Sequence, residues 1–461
     1  MNYFISSLLV ILMTSTIGAQ DWTGTWEGML NAGTQELKII FHLEKNAAGD
    51  WQATMDSPDQ MAYDLKMDDV TIKNNEITMS LTAAHAQYVG TLNEDKTSIK
   101  GNWVQGVPLP LELTRAEKKS HKRPQEPQAP FPYTIEEVTY ENKKEKFDLA
   151  GTLTLPEGEG KHPVVILISG SGPQDRDETI LKHKPFWVLA DYLTRNGFAV
   201  LRFDDRGVGA SGGDFSKATS ADFATDVMAG VDFLKKHPNI DPKRIGLMGH
   251  SEGGLIAPIV ASKDKKIAFI VLLAGPGVPG NELLLKQSYD IMVQKGTDEK
   301  LLKTANKIGG KLYEAIINDK NNKLGTNELL ELVKPDLSSL SEEDKKEIGG
   351  DEVTLRQSIA ALRSPWMFYF INSNPADYLK KVKCPVLAIN GDKDIQVAGE
   401  QNLDGIRAAL AKNKKVKTAL LPNLNHLFQT SETGAVEEYV KIEETFSPEA
   451  MKLILDWMKS L

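Results

Sequence analysis

The sequence predicts an α/β chain: a mostly parallel sheet with helices on both faces and a helical cap, preceded by a small all-β barrel or sandwich domain. Three observations carry that class. From residue 133 onward, uninterrupted apolar runs such as Val164-Val165-Ile166-Leu167-Ile168 alternate with amphipathic helical periods, as strands covered on both faces require. Residues 21–115 instead alternate apolar and polar positions with turns at close spacing, the pattern of an antiparallel sheet. Between them, the four prolines of 116–132 mark a stiff, polar linker.

Taken in order, residues 3–13 form an apolar stretch too short to span a bilayer, followed by small and polar residues to Gln20. This reads as a cleaved secretory signal over 1–20, so export to the periplasm or beyond is expected. No cysteine lies near the cleavage point, so no lipid anchor is expected. In 21–115, strands are expected at Glu36–Leu43, Asp50–Met55 and Glu76–Leu81, with turns at Ala48-Gly49-Asp50, Ser57-Pro58-Asp59, Lys73-Asn74-Asn75 and Asn93-Glu94-Asp95. Gly24-Thr25-Trp26 resembles the Gly-x-Trp entry of lipocalin-like barrels, with the Trp plugging one end. His42 and His85 have no second ligand at metal spacing and read as structural. The Lys/Arg run at 118–123 reads as a solvated part of the linker.

The second domain, 133–461, opens with a short β region at Ile135–Tyr140 and Phe147–Leu155. Buried strands follow at Val164–Ile168, Ala199–Leu201, Ile245–Met248, Ala268–Leu273, Val386–Ile389 and Thr418–Leu421. Helical periods lie between them at Phe186–Arg195, Ser220–Lys236, Gly254–Ser262 and Gly399–Ala411. The interval 277–378 breaks the rhythm with about a hundred helical, Lys- and Glu-rich residues, suited to a cap over the sheet's carboxyl edge. Cys384, the only cysteine, precedes an apolar run and reads as a small core residue.

Composition excludes some functions. A net charge of −9 leaves no basic surplus to bind nucleic acid or an anionic membrane. No clustered ligand spacing calls for a metal. Gly207-Val208-Gly209-Ala210-Ser211-Gly212 fits G-x-G-x-x-G, but a dinucleotide site needs a helix at once. Here 213–219 intervene and Asp204-Asp205 would repel a phosphate, so no cofactor is expected.

The chemistry gathers around Gly-His-Ser-Glu-Gly at 249–253. Between an apolar run and a helical stretch, G-x-S-x-G makes the serine an exposed nucleophile on a sharp turn. Ser251 then needs an imidazole to take its proton, and His426 is the only histidine downstream of it. His250 reads as a packing residue, because adjacency in a tight turn points the two side chains apart. His183 and His237 lie upstream of the turn and are poor bases. A carboxylate must hold the histidine tautomer, and the turn after Val386–Asn390 offers Asp392 and Asp394. The tetrahedral intermediate needs preorganised N–H donors. One is the amide of Glu252; the other is expected in the small-residue loop Ser169-Gly170-Ser171-Gly172-Pro173.

Together these pieces resemble the α/β-hydrolase superfamily over 133–461. Asp204-Asp205-Arg206-Gly207-Val208-Gly209-Ala210-Ser211 is similar to the D-x-R-G-x-G-x-S loop of its esterase and serine aminopeptidase-like branch. Gly170-Ser171-Gly172-Pro173, paired with Gly-His-Ser-Glu-Gly-Gly, is similar to a group of bacterial carboxylesterases. The resemblance implies the chain order Ser, Asp, His. It favours Asp394, in the frame G-x-x-D-x-x-V, over Asp392 as a turn residue. It also makes Ser171 the second backbone donor, with Gly172 as fallback, and Arg206 a loop-fixing residue. The implied activity is hydrolysis of short acyl esters through an acyl-serine, without a cofactor, on a small-molecule substrate. The aromatic run Trp366–Phe370 is expected to line the acyl pocket or pack the cap. A homo-oligomer is compatible with the sequence.

Two alternatives stand beside this reading. The same triad could serve a peptidase or thioesterase, with Asp175, Asp177 and Glu178 holding an amine, although solvated loop charges are the preferred reading of those three. A ligand-binding protein could also act through the β-domain alone.

Overall fold

The computed structural model describes residues 22–32, 36–60, 62–117, 122–319 and 323–461. The secretory signal expected over 1–20, and 118–121 of the linker, lie outside them. The chain divides into two units, 1–120 and 121–461.

The first unit is an antiparallel sheet of β1 (Gly24–Asn31), β2 (Glu36–Lys45), β3 (Trp51–Ser57), β4 (Ala62–Lys66), β5 (Asp69–Lys73), β6 (Glu76–Leu81), β7 (Ala86–Leu92), β8 (Ser98–Gln105) and β9 (Val107–Ala116). The order β4-β3-β2-β1-β9-β8-β7-β6-β5 pairs the first strand with the last. Alternation puts Trp26, Phe41, Ile77, Tyr88 and Leu111 into one core. Trp26 is fully buried beneath the Arg115 guanidinium, 4.4 Å from its ring. His42 bridges Thr25 Oγ1 (3.1 Å) and Asp56 Oδ2 (3.0 Å), a structural position.

The second unit opens with the hairpin β10 (Tyr133–Asn142) and β11 (Phe147–Pro156). Then come β12 (His162–Ile168), α1 (Pro185–Arg195), β13 (Ala199–Phe203), α2 (Ser220–Leu234), β14 (Ile240–His250), α3 (Gly253–Lys263) and β15 (Phe269–Leu273). Seven helices follow among the described residues: α4 (Gly280–Gln294), α5 (Glu299–Asn318), α6 (Thr326–Leu337), α7 (Glu342–Glu347), α8 (Glu352–Leu362), α9 (Pro365–Ile371) and α10 (Ala376–Leu379). The chain closes with β16 (Val386–Gly391), α11 (Gly399–Ala409), β17 (Val416–Leu421), α12 (Val436–Tyr439) and α13 (Pro448–Lys459).

The sheet order is β10-β11-β13-β12-β14-β15-β16-β17, parallel from β13 to β17. Each buried run read from the sequence is one of its strands. Residues from α2, α3 and α11 cover one face, and residues from α1 and α13 cover the other. Helices α5, α6 and α8 build a core of their own around Leu312, Val333 and Ile359, which makes the 280–379 insertion a cap with its own packing. Cys384 packs half-buried against the main core, where burial pushes its thiol up to about 11.

Arg123 departs from the solvated linker expected of 118–123. Its guanidinium donates to the carbonyls of Lys182 (3.1 Å), Val440 and Ile442 (both 2.9 Å). A fork of five N–H groups can satisfy several carbonyls at once, so these loop carbonyls hold the cation where composition alone suggested water.

Candidate active site

Strand β14 delivers Ser251 at its carboxyl end, and α3 begins two residues later. Ser251 has a left-handed backbone, φ +49°, and its amide donates to the Leu273 carbonyl at 2.8 Å. For a residue with a side chain this conformation is strained, and surrounding structure must hold it. Two glycines do so by letting backbone approach backbone. A Cβ on Gly249 would lie 2.0 Å from the Gly253 carbonyl oxygen, and one on Gly253 would lie 2.2 Å from that of Ile168.

Asp394 follows β16 and His426 follows β17. Both are buried, and His426 Nδ1 meets Asp394 Oδ2 at 2.8 Å. The other carboxylate oxygen accepts the amides of Gln396 and Val397, each at 2.8 Å, so the carboxylate cannot swing away. Asp392 instead braces the turn, accepting from the Asn423 amide at 2.6 Å. Asn425 shapes the histidine loop by accepting the amides of Leu427 and Gln429 at 3.0 and 2.9 Å. The His426 ring lies 4.8 Å from that of His250, the neighbour of Ser251.

The small-residue loop after β12 lies against the same turn, since a Cβ on Gly170 would come within 3.2 Å of Ser251 Cβ. The Gly170 amide is already committed to Glu178 Oε1 at 2.7 Å. The amides of Ser171, Gly172 and Glu252 make no hydrogen bond among the described residues. Ser171 and Glu252 are the two donors read from the sequence.

Three carboxyl groups are buried beside this turn, and the sequence reading missed the burial of each. Glu178 is 1% exposed rather than a solvated loop charge. His250 is a hydrogen-bonding node rather than a packing residue. Its Nδ1 meets Glu178 Oε1 and its Nε2 meets the His426 carbonyl, both at 2.9 Å. Burial alone would push the His250 imidazole down, but the Glu178 carboxylate and the His426 carbonyl hold it above its ordinary value. Burial pushes the Glu252 carboxyl up to about 7, while Ser220 Oγ (2.6 Å) and Trp366 Nε1 (2.8 Å) donate to it. Burial likewise pushes Asp205 up to about 8, against donation from Ser169 Oγ at 2.8 Å. Trp366, on cap helix α9, also stacks on Phe370 at 5.5 Å, so the aromatic run reaches the residue after Ser251.

The remaining charges are structural. Arg206 grips Asp226 on α2 through Nε (2.8 Å) and Nη2 (3.0 Å), fixing its loop. Arg176 pairs with Asp204 at 2.8 Å, and Arg202 pairs with Asp177. Both nitrogens of His183 are engaged, with Thr445 Oγ1 and the Tyr439 carbonyl, and His237 pairs with Glu136. In the glycine-rich loop, a Cβ on Gly209 would lie 2.5 Å from the Asp204 carboxylate, and the next helix, α2, starts only at Ser220. Among the described residues no three His, Cys, Asp or Glu side chains are grouped to hold a metal ion. No described helix is long and apolar enough to cross a membrane.

A family model described as serine aminopeptidase, S33, matches residues 186–430, just over half of the chain. Over 294 residues, 64% of this chain, the sequence is 28% identical to esterase EstD of Thermotoga maritima and spans 61% of that protein. Over 271 residues, 58% of this chain, it is 21% identical to dipeptidyl-peptidase 5 of Porphyromonas gingivalis, spanning 30% of that protein. Among solved structures, the Pyrococcus furiosus esterase Pf2001 aligns with a TM-score of 0.42 at 19% identity, over 71% of this chain and 93% of that one.

Proposed function

The chain belongs to the serine aminopeptidase S33 family of α/β-hydrolases, and from that premise we propose that it cleaves carboxylic esters of short acyl groups through an acyl-serine at Ser251. The observation that carries this reading is the 2.8 Å contact of His426 with Asp394, on a loop whose histidine ring lies against the ring next to Ser251. In this reading His426 takes the Ser251 proton as Oγ attacks the ester carbonyl. Asp394 holds the tautomer that leaves Nε2 free to accept. The oxyanion rests on the amides of Glu252 and Ser171. The alcohol departs with the proton from His426, and water repeats the sequence on the acyl-serine.

Esters are favoured over peptide amino termini by where the acidic residues are spent. Glu178 is buried against Gly170 and His250, and Asp177 is paired with Arg202. Asp175 accepts from the amides of Asp177 and Thr179 and from the Thr179 hydroxyl. Glu178 and Asp177 are thus engaged inside the protein, and Asp175 is already used to hold its own loop. The similarity to a protein named as an esterase over 64% of this chain supports the same choice.

The test is a panel of p-nitrophenyl esters of graded chain length beside aminoacyl anilides, with labelling by a serine-directed phosphonate. Short esters are expected to turn over fastest, and the label to vanish in Ser251→Ala. Faster anilide cleavage would overturn the ester assignment. A wild type that does not label would overturn the nucleophile.

A further inference from the structure

Glu178 and His250 take no step in the reaction above, yet between them they touch all three loops that carry it. Glu178 lies in the connection between β12 and α1, almost wholly buried and with a left-handed backbone, φ +51°. Its Oε1 accepts from the Gly170 amide at 2.7 Å, one residue before Ser171. The same oxygen accepts from His250 Nδ1 at 2.9 Å, one residue before Ser251. On the far side of the ring, Nε2 donates to the carbonyl of His426 at 2.9 Å.

The two groups facing the ring are a carboxylate and a carbonyl, which accept hydrogen bonds and cannot donate them. With Glu178 as the carboxylate, both contacts are made when both ring nitrogens carry protons, the arrangement of an imidazolium paired with a carboxylate. A buried charge pair is costly to break from one side, because the other charge is then left unpaired. The link is therefore stiff. It also runs through short segments of backbone, so small displacements of either partner reach the donor amide, the nucleophile and the base together.

We propose that Glu178 and His250 are positioning residues: a second carboxylate–imidazolium pair that sets the spacing of the Ser171 donor stretch, Ser251 and His426. The inference rests on the Ser251 reading of the preceding subsection. It assigns the pair no contact with substrate, and so predicts an effect on turnover rather than on binding. Misplacing reacting groups by about 1 Å costs on the order of 100-fold in rate.

The experiment uses the full-length protein with p-nitrophenyl butyrate, the concentration of competent sites being counted by phosphonate titration. Glu178→Ala and His250→Ala are expected to lower kcat per titrated site by about 10-fold to 100-fold, with KM within about twofold. Glu178→Gln keeps an oxygen for Gly170 and His250 but leaves the imidazolium without its charge partner, so it should fall between wild type and Glu178→Ala. His250→Asn keeps a donor toward Glu178 and His250→Gln keeps one toward His426, so each should fall between wild type and alanine. These three carry the test if the alanine variants do not fold. The double variant should be no slower than the slower single, because both cut one linkage.

Wild-type kcat per titrated site in the variants would overturn the proposal, even where fewer sites titrate, since a role in stability alone removes sites without slowing those that remain. A loss carried by KM would overturn it as well. A wild type that neither labels nor turns over refutes the Ser251 reading itself, a result separate from either of these.

Discussion

Glu252 has two separate roles at one position. Its amide is a proposed oxyanion donor, while its side chain turns inward to Ser220 and to Trp366 of the cap. Burial pushes that carboxyl up to about 7, whereas in the unfolded chain it titrates near about 4.3. The folded state therefore holds the proton more tightly between those values. Its contribution to stability is full below the unfolded value and is lost as pH rises through about 7. Asp205 is shifted in the same direction, to about 8, so wild type should go on losing stability into mild alkali. Glu252→Gln keeps an acceptor for both donors and removes the titration. Relative to wild type it should gain on the order of 1–3 kcal/mol between pH 5 and pH 8, read by urea denaturation at the two pH values. An equal difference at both would refute the account. This residue also shows where sequence reading ends. The contact of His426 with Asp394 was legible because each follows an apolar run in a loop punctuated by Gly, Pro or Asn. The fates of Glu178 and Glu252 were not, because a charged residue in a loop reads as solvated. Their partners stand 72 and 114 positions away, and only tertiary packing brings them in.

At the scale of elements, the unit that places Ser251 is β14, its turn and α3. The start of α3 presses onto the ends of β12 and β14 closer than any side chain permits. Gly253 would put a Cβ 2.2 Å from the Ile168 oxygen, and a backbone clash cannot be relieved by choosing another rotamer. Gly253→Ala should therefore cost about 2–4 kcal/mol in chemical denaturation and slow turnover per titrated site. An unchanged midpoint would mean that α3 can retreat freely. The strands and the helices between them were legible from their apolar runs and periods. Helix α13 was not read from the sequence, although its signals were there. Ser447 caps it, Pro448 opens it, and Ala450, Met451, Ile454, Leu455 and Met458 are buried on one stripe. Lying after the last strand, it had no following strand to complete the alternation that identified the others.

For the whole molecule, the two units keep separate cores, and the linker assignment decides where the second unit can be cut. A composition boundary ending at 132 suggests that a chain starting at Tyr133 is complete. The hydrogen bonds argue for an earlier start. Arg123 satisfies carbonyls at 182, 440 and 442. Gln125 Oε1 accepts the amides of Thr445 and Phe446, and its Nε2 donates to the Phe446 carbonyl at 2.7 Å. These contacts pin the segment between α12 and α13, which follows the His426 loop, and the Ser447 amide donates back to Phe428 of that loop. Leaving such buried backbone groups without partners costs about 1–3 kcal/mol each, less where water can reach them. A chain beginning at Lys122 should therefore be more stable than one beginning at Tyr133 by about 2–4 kcal/mol, and should hydrolyse p-nitrophenyl esters faster per titrated site. Urea denaturation of the two truncated proteins side by side measures the difference. Equal midpoints would show that 122–132 is a tether only, and that the loop bearing His426 is held by the rest of the second unit without it.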